Sequence, residues 1–128
     1  MTEATPIYGS FALPKVAHWF MDVAKDVVQL MSLNVDWDSY GGEAIDQTTA
    51  EMALRTLMAM DQYSLPRPSV FAESAGGVGF EFRRPSAELT LVVHRSGEVS
   101  YFYEDLVNGV EKDGEGLPVG LRALAIDQ

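Results

Sequence analysis

Two aspartates in one loop-like segment are the first residues of this chain that could do chemistry. Asp36 and Asp38 alternate there, and a glycine occupies the sixth position, as in the oxygen-ligand loop of an EF-hand calcium site. Tyr40, however, stands where that loop needs an oxygen ligand, and Gln47 replaces its bidentate glutamate. We therefore expect no bound metal. The aspartates should accept hydrogen bonds from backbone amides, while Trp37 and Tyr40 pack as anchors.

Glu81 is another carboxylate that could act as a general acid or base, because it lies between Phe80 and Phe82 in a strand-like segment. The sequence places no second carboxylate or nucleophile beside it, so we interpret it as an ionic or polar partner of a neighbouring strand. His18 and His94 have no partner in any motif, and we interpret them as structural or exposed. Phosphate-loop and serine-elbow motifs are absent, so we predict a protein that is not an enzyme and uses no cofactor.

The charge of the chain limits its partners. Its 128 residues include 19 acidic and 9 basic side chains, which give a net charge of −10. Direct binding to nucleic acid or to an anionic membrane needs clustered basic residues, so we expect neither. The acidity fits three interpretations: solubility alone, a basic protein partner, or mimicry of nucleic acid.

The N-terminus bears on the compartment, whereas the cysteine content bears only on the kinds of site that the chain can form. No cysteine is present, which excludes disulfides and thiolate zinc sites. Residues 1–6 lack the basic and apolar regions of a signal peptide, and no apolar run is long enough to span a membrane. We therefore expect a cytoplasmic protein.

Two segments have the three-to-four-residue apolar spacing of amphipathic helices, namely residues 14–33 and 46–62. The second has two candidate N-caps. Thr48 and Glu51 fit a capping box, and Asp46 is the alternative.

After residue 68 the apolar period changes to two, which predicts antiparallel strands joined by short links. We expect these strands at Ser69–Glu73, Val78–Arg83, Glu88–His94 and Val99–Glu104. A three-residue bulged loop with Gly97 in the left-handed position keeps all apolar side chains of the sheet on one face. With Phe71 opposite Phe80, that core face comprises Phe71, Val78, Phe80, Phe82, Leu89, Leu91, Val93, Tyr101 and Tyr103.

These elements predict an α+β fold, with two helices packed on one face of a four-stranded antiparallel meander sheet. We expect one domain covering residues 1–128. Within it, 105–128 should comprise a mobile loop up to about 118 and then a short helix or strand. Val99–Glu104 should be an edge strand.

The opposite sheet face carries the predicted recognition surface. Val92 and Phe102 are apolar residues in a polar field that includes Glu81 and Glu104, and an exposed aromatic with a polar rim is typical of a binding hot spot. The alternatives are scattered apolar surface residues or burial beneath the C-terminal segment. A symmetric copy of the chain could also pair here.

Two short motifs resemble a family. The W-D-S-Y-G segment at Trp37–Gly41, then Pro68, then G-G-V-G-F-E-F at Gly76–Phe82 are similar to small uncharacterised bacterial and phage-associated proteins, over about residues 33–104. The resemblance implies no activity. It implies that one shared feature, the loop docked at the sheet, includes Trp37, Asp38, Tyr40, Glu81 and Phe82.

Together these observations predict a non-enzymatic, acidic protein-binding module, such as an inhibitor, an immunity or antitoxin-like protein, or an effector chaperone. The candidate partner-binding residues are Glu81, Val92, Phe102, Glu104, Trp37, Asp38 and Tyr40. One alternative is a nucleic-acid mimic that inhibits a DNA- or RNA-binding protein. Another is a small metal-binding or enzymatic domain built around Asp36, Asp38 and Glu81.

Overall fold

The computed structural model describes residues 18–60 and 65–117, which form two helices followed by five strands. The helices are α1 (Phe20–Leu30) and α2 (Gln47–Met60), and the strands are β1 (Ser69–Ala72), β2 (Val78–Arg84), β3 (Ala87–Val93), β4 (Val99–Asp105) and β5 (Val110–Glu115). All strands form one antiparallel meander in the order β1-β2-β3-β4-β5. The predicted α+β class is confirmed, but the sheet has five strands rather than four.

Helix α1 buries the apolar side predicted from its spacing, with Phe20, Val23 and Val27 in the core. It ends at Leu30 rather than at residue 33. The amides of the next three residues donate to carbonyls only three positions earlier, so the last turn tightens and the α-helix stops. The predicted start of this helix at residue 14 lies outside the described residues.

Helix α2 is capped by Asp46, the second of the two predicted candidates. The Asp46 carboxylate accepts a hydrogen bond from the Thr49 amide at 2.7 Å, and its carbonyl accepts from the Ala50 amide. The carboxylate thus satisfies the Thr49 amide, which has no partner inside the helix, and the carbonyl accepts the first bond of the helix itself. The buried side of α2 consists of Thr49, Ala50, Ala53, Leu57 and Met60. Its predicted end at residue 62 lies outside the described residues.

The core lies between the helices and one face of the sheet. The predicted registers of β2 with β3 and of β3 with β4 are confirmed: Phe80 pairs with Leu91, and Leu91 pairs with Tyr101. The largest fully buried side chains on this inner face are Phe80, Phe82, Leu89 and Leu91. Tyr101 and Tyr103 lie on the same face but are only partly buried.

The predicted position of Phe71 is wrong. It pairs with Gly79, not with Phe80, and therefore lies on the outer face, where its ring covers the backbone of Gly79. The reason is the length of the β1–β2 turn. The Glu73 amide donates to the Gly77 carbonyl and closes a three-residue loop, in which the Gly76 amide donates to the Glu73 carbonyl and Gly76 has φ +93°. Four linking residues would instead give the predicted register.

The predicted mobile loop at 105–118 is also wrong, because it contains β5. The Asp105 carboxylate accepts hydrogen bonds from the Val107 and Asn108 amides at 3.0 Å and so organises a tight turn. Gly109 leaves that turn at φ +71°. Strand β5 then covers β4, so β4 is an interior strand and not the predicted edge. Residues after 117 lie outside the described range.

Candidate functional site

Alternate residues of the five strands point away from the helices and form the outer face. Its registers place six carboxylates there with a single guanidinium, that of Arg83. The face consists of Ser69, Phe71, Gly79, Glu81, Arg83, Glu88, Thr90, Val92, Ser100, Phe102, Glu104, Glu111, Asp113 and Glu115. These side chains give it a net charge of −5, half of the −10 carried by the whole chain.

Arg83 neutralises one side of the outer face. Its guanidinium lies 3.2 Å from the Glu81 carboxylate on its own strand and 3.7 Å from the Glu88 carboxylate on β3. Glu81 therefore lies in an ion pair, as its interpretation as an ionic partner requires. Its cation, however, lies on its own strand and not on a neighbouring strand. These pairs are largely exposed, so each contributes little stability.

The other side of the outer face is an acidic patch formed by Glu104, Glu111, Asp113 and Glu115. Glu104 lies directly opposite Glu111, and on its other side it faces Glu88. Side chains that face each other across an antiparallel pair have Cβ atoms about 4.5–5.5 Å apart, and like charges there repel. Within residues 18–60 and 65–117, none of the four patch carboxylates forms an ion pair.

Phe102 lies in the middle of this charge. The residue is 42% exposed, with Glu104 two positions along β4 and Asp113 directly opposite on β5. Beside it, a shallow groove of about 430 Å³ is lined by Thr90, Val92, Ser100, Tyr101, Phe102, Asp113, Gly114 and Glu115. The structure thus brings three of the predicted contact residues, Val92, Phe102 and Glu104, onto one surface.

The sequence did not reveal a polar pair at the end of this surface. His94 Nε2 and Ser100 Oγ are 2.8 Å apart and hydrogen-bonded. A nucleophile and a base are found at this distance in acyl-transfer enzymes, but such sites also need a group that orients the base and donors that stabilise an oxyanion. No hydrogen bond from His94 to a carboxylate is found in the described residues, so we interpret the pair as a cross-strand polar contact.

The aspartates of the 36–43 loop bind backbone amides, as predicted. Asp36 accepts from the Gly41 amide at 2.7 Å, and Asp38 accepts from the Tyr40 and Gly42 amides at 2.9 and 2.8 Å. The second Asp38 oxygen accepts from the Ser74 hydroxyl at 2.7 Å. The Ser74 hydroxyl first, and then these amides, hold the pKa of Asp38 below its ordinary value of 3.8.

This loop docks on the β1–β2 turn. Besides the Asp38–Ser74 contact, the Glu43 amide donates to the Ser74 carbonyl at 2.8 Å. Arg95, in the β3–β4 turn, forms ion pairs with Glu43 and Asp46. The loop therefore links the start of α2 to two hairpin turns at one end of the sheet.

The two predicted aromatic anchors of the loop behave differently. Trp37 is half-buried and donates its indole N–H to the Glu43 carbonyl at 2.8 Å, so it helps to close the loop. Tyr40 is 90% exposed and is not an anchor.

The predicted shared feature also included two strand residues. Glu81 lies on the outer face and Phe82 in the core. The loop contacts found here therefore involve the turn containing Gly76, and not those two residues.

Helix α1 presents a further exposed apolar surface that the sequence reasoning did not single out. Met21 is 64% exposed and Val28 49% exposed. With Ala24, Lys25 and Gln29 they line a shallow groove of about 420 Å³. Nothing in the structure indicates what would bind there, so we assign it no partner.

Residues 18–60 and 65–117 contain neither a cluster of metal ligands nor a membrane-spanning helix. No group of three or more His, Asp or Glu side chains in this part of the chain is arranged to hold a metal ion. Neither helix there has the length and apolar character needed to cross a membrane.

No protein-family model matches this chain, and neither a curated protein nor a solved structure matches it significantly. The family resemblance of the W-D-S-Y-G and G-G-V-G-F-E-F segments therefore stays a prediction.

Proposed function

We propose that this protein is a non-enzymatic binding module whose outer face binds a basic region of another protein. The observation that carries the proposal is the position of Phe102, an exposed aromatic beside four carboxylates that have no ion-pair partner in the described residues. An aromatic centre with a charged rim is a typical composition for a protein-binding surface. Val92 lines the same groove as Phe102.

The energetics of the acidic patch support a basic partner. Glu88, Glu104 and Glu111 face one another across three strands, and Arg83 pairs only with the first of them. Unpaired like charges in direct opposition destabilise a free sheet. Lysine or arginine side chains of a partner would relieve this repulsion and would also speed association.

The same charge argues against a symmetric dimer through the outer face. A second copy would bring another surface with a net charge of −5 against the first, and like-charge contacts across an interface are costly. The possible homodimer through Val92 and Phe102 is therefore the less favoured arrangement. In the cytoplasm, where we expect the chain, a basic partner fits an inhibitor, immunity-like or effector-chaperone role.

The predicted contact residues in the loop take two different roles in this proposal. Trp37 and Asp38 hydrogen-bond within the loop and to the β1–β2 turn, so they position it. Tyr40 is left exposed at the surface of a well-bonded loop and is available for an additional contact. Glu81, with its carboxylate already near Arg83, contributes at the margin of the outer face.

Affinity capture from an extract of the native host tests the proposal. Wild-type protein should retain a defined partner with a basic surface at about 0.05 M salt and release it at about 0.5 M, since salt screens exposed charges. Phe102→Ser should lose that partner. Val35→Ser, which removes a 74%-exposed apolar side chain that lies outside the strands, serves as the matched control. Equal retention by both variants would refute the assignment of the outer face.

A nucleic-acid mimic is the second candidate, because the row of Glu88, Glu104 and Glu111 is ordered rather than scattered. Neighbouring strands are about 4.8 Å apart, so the row presents regularly spaced negative charge. On this hypothesis the captured partner binds DNA or RNA, and added nucleic acid displaces it from the protein. A captured partner that nucleic acid does not displace would exclude mimicry.

A further inference from the structure

Strand β5 is an edge of the sheet in the described residues, since β4 is its only neighbour there. The Gly116 amide donates to the Val99 carbonyl at 2.7 Å, and this fixes which residues bond to β4. In an antiparallel pair such residues alternate, so Lys112 and Gly114 also bond to β4. The backbone amides and carbonyls of Glu111, Asp113 and Glu115 therefore point towards the free edge.

The same three residues place their carboxylates on the outer face. Within residues 18–60 and 65–117, the edge thus combines backbone groups that bond to no further strand with acidic side chains at every second position. A strand added there would place its own alternate side chains directly opposite Glu111, Asp113 and Glu115. Between them, its other side chains would lie on the inner face beside Val110, which is 46% exposed, and Gly114.

We propose that an extended segment with Lys or Arg at every second position pairs antiparallel with β5 as a sixth strand. This inference rests on the proposed function and names how the basic partner binds. Charge complementarity selects the occupant, because basic side chains would meet the three carboxylates while main-chain hydrogen bonds satisfy the edge. A second copy of β5 would instead set carboxylates against carboxylates, and edge charges of this kind oppose self-pairing.

A designed peptide tests the inference without knowledge of the natural partner. The probe is a peptide of about seven residues in which Lys alternates with Val, a length within the usual range for strands. Its control carries a methyl group on the backbone nitrogen of each Lys, which keeps the charge but removes the donors. We expect the alternating peptide to bind at least about tenfold more tightly. Upon binding, the amides of Glu111, Asp113 and Glu115 should become protected from hydrogen exchange.

Protein variants give a second measurement. Asp113→Pro removes one carboxylate and the edge amide, and proline is tolerated where the amide faces outward from an edge strand. Asp113→Asn removes the charge alone, and should weaken peptide binding about two- to fivefold, the worth of one exposed ion pair. Asp113→Pro should weaken it at least about tenfold. If this variant fails to fold, the methylated peptide still decides the question on unaltered protein.

The outcomes separate this inference from the proposed function. Equal binding of the two peptides, with no protection of the edge amides, would overturn strand pairing. This conclusion would hold whether or not Phe102→Ser weakens binding of the peptides. If Phe102→Ser also abolishes capture of the natural partner, the outer face remains the binding site and only the mode of binding is wrong. Tight binding of the alternating peptide alone, with protected edge amides, supports the sixth strand.

Discussion

Two groups of carboxylates in this chain differ in what they bind. Asp36, Asp38, Asp46 and Asp105 accept hydrogen bonds from backbone amides in loops and at a helix start. Glu104, Glu111, Asp113 and Glu115 have no ion-pair partner within the described residues. The first group builds the fold, and we assign the second group to binding.

Removing the cap of α2 tests the first group. Asp46→Ala should lower the free energy of unfolding by about 1 kcal/mol, within the range of about 0.5–2 kcal/mol for N-cap losses, because the Thr49 amide loses its acceptor. Thr48→Ala is the control, since Thr48 is exposed, and it should cost less than about 0.5 kcal/mol. Urea denaturation monitored by circular dichroism measures both. A larger loss for Thr48→Ala would restore the capping-box interpretation.

Stability against acid should depend on Asp38. Its pKa is held below 3.8 in the folded protein, chiefly by the Ser74 hydroxyl and the Tyr40 amide, so its contribution is present above that pH. The contribution is lost as the pH falls past the lowered folded-state pKa. Asp38→Asn should therefore be less stable than wild type at pH 7, and the difference in urea midpoint should shrink towards pH 3. A difference that stays constant over this range would contradict the account.

The acidic patch should cost the free protein stability. Glu111→Gln removes a charge that faces Glu104 directly across the strands, so the free energy of unfolding should rise by about 0.2–1 kcal/mol. Urea denaturation at low salt measures the change, which should shrink as salt screens the repulsion. A loss of stability would mean that Glu111 makes a favourable contact in the free protein.

At the scale of elements, turn chemistry decided which strand predictions succeeded. Gly97 was recognised as the left-handed residue of a three-residue bulged loop, and the register that follows from it is observed. Gly76 ends the Ser-Ala-Gly loop in the same way, but the following Gly77 made that link look one residue longer. The one-residue difference moved Phe71 to the opposite face.

Strand β5 was missed because its composition argues against a strand. Glu111, Lys112, Asp113 and Gly114 are all disfavoured in sheets, and pairing with β4 overrides that preference. The available signal was the Asn108-Gly109 pair, a common turn sequence between strands. Without β5, the sequence could predict Phe102 and Glu104 as contact residues but not the acidic patch around them.

A double-mutant cycle tests the β1–β2 register. A Cβ added at Gly79 would lie 2.1 Å from the Phe71 ring, so Gly79→Ala should displace the ring and destabilise the wild-type background. In the Phe71→Ala background the same change should be neutral or stabilising, because alanine favours strands more than glycine does. The coupling measured by urea denaturation should be about 0.5–1.5 kcal/mol. A coupling near zero would mean that the two residues are not in contact.

At the scale of the whole molecule, hydrophobic alternation and charge had different predictive value. The change of apolar period after residue 68 indicated which sheet face the helices cover, because burial follows directly from that pattern. Net charge gave only a class of partner. The location of that charge required the strand registers, which place half of it on one face. Composition does not predict which carboxylates lie opposite each other on neighbouring strands.

The affinity of the captured partner for two charge variants shows whether the acidic patch is its binding site. Glu104→Gln/Glu111→Gln/Asp113→Asn removes three charges from the acidic patch. Asp22→Asn/Asp26→Asn/Glu51→Gln removes three from the helices, so the two variants have equal net charge. Isothermal titration calorimetry should show binding at least about tenfold weaker for the patch variant and within about twofold of wild type for the helix variant. Equal weakening of both variants, or no weakening of the patch variant, would contradict the account.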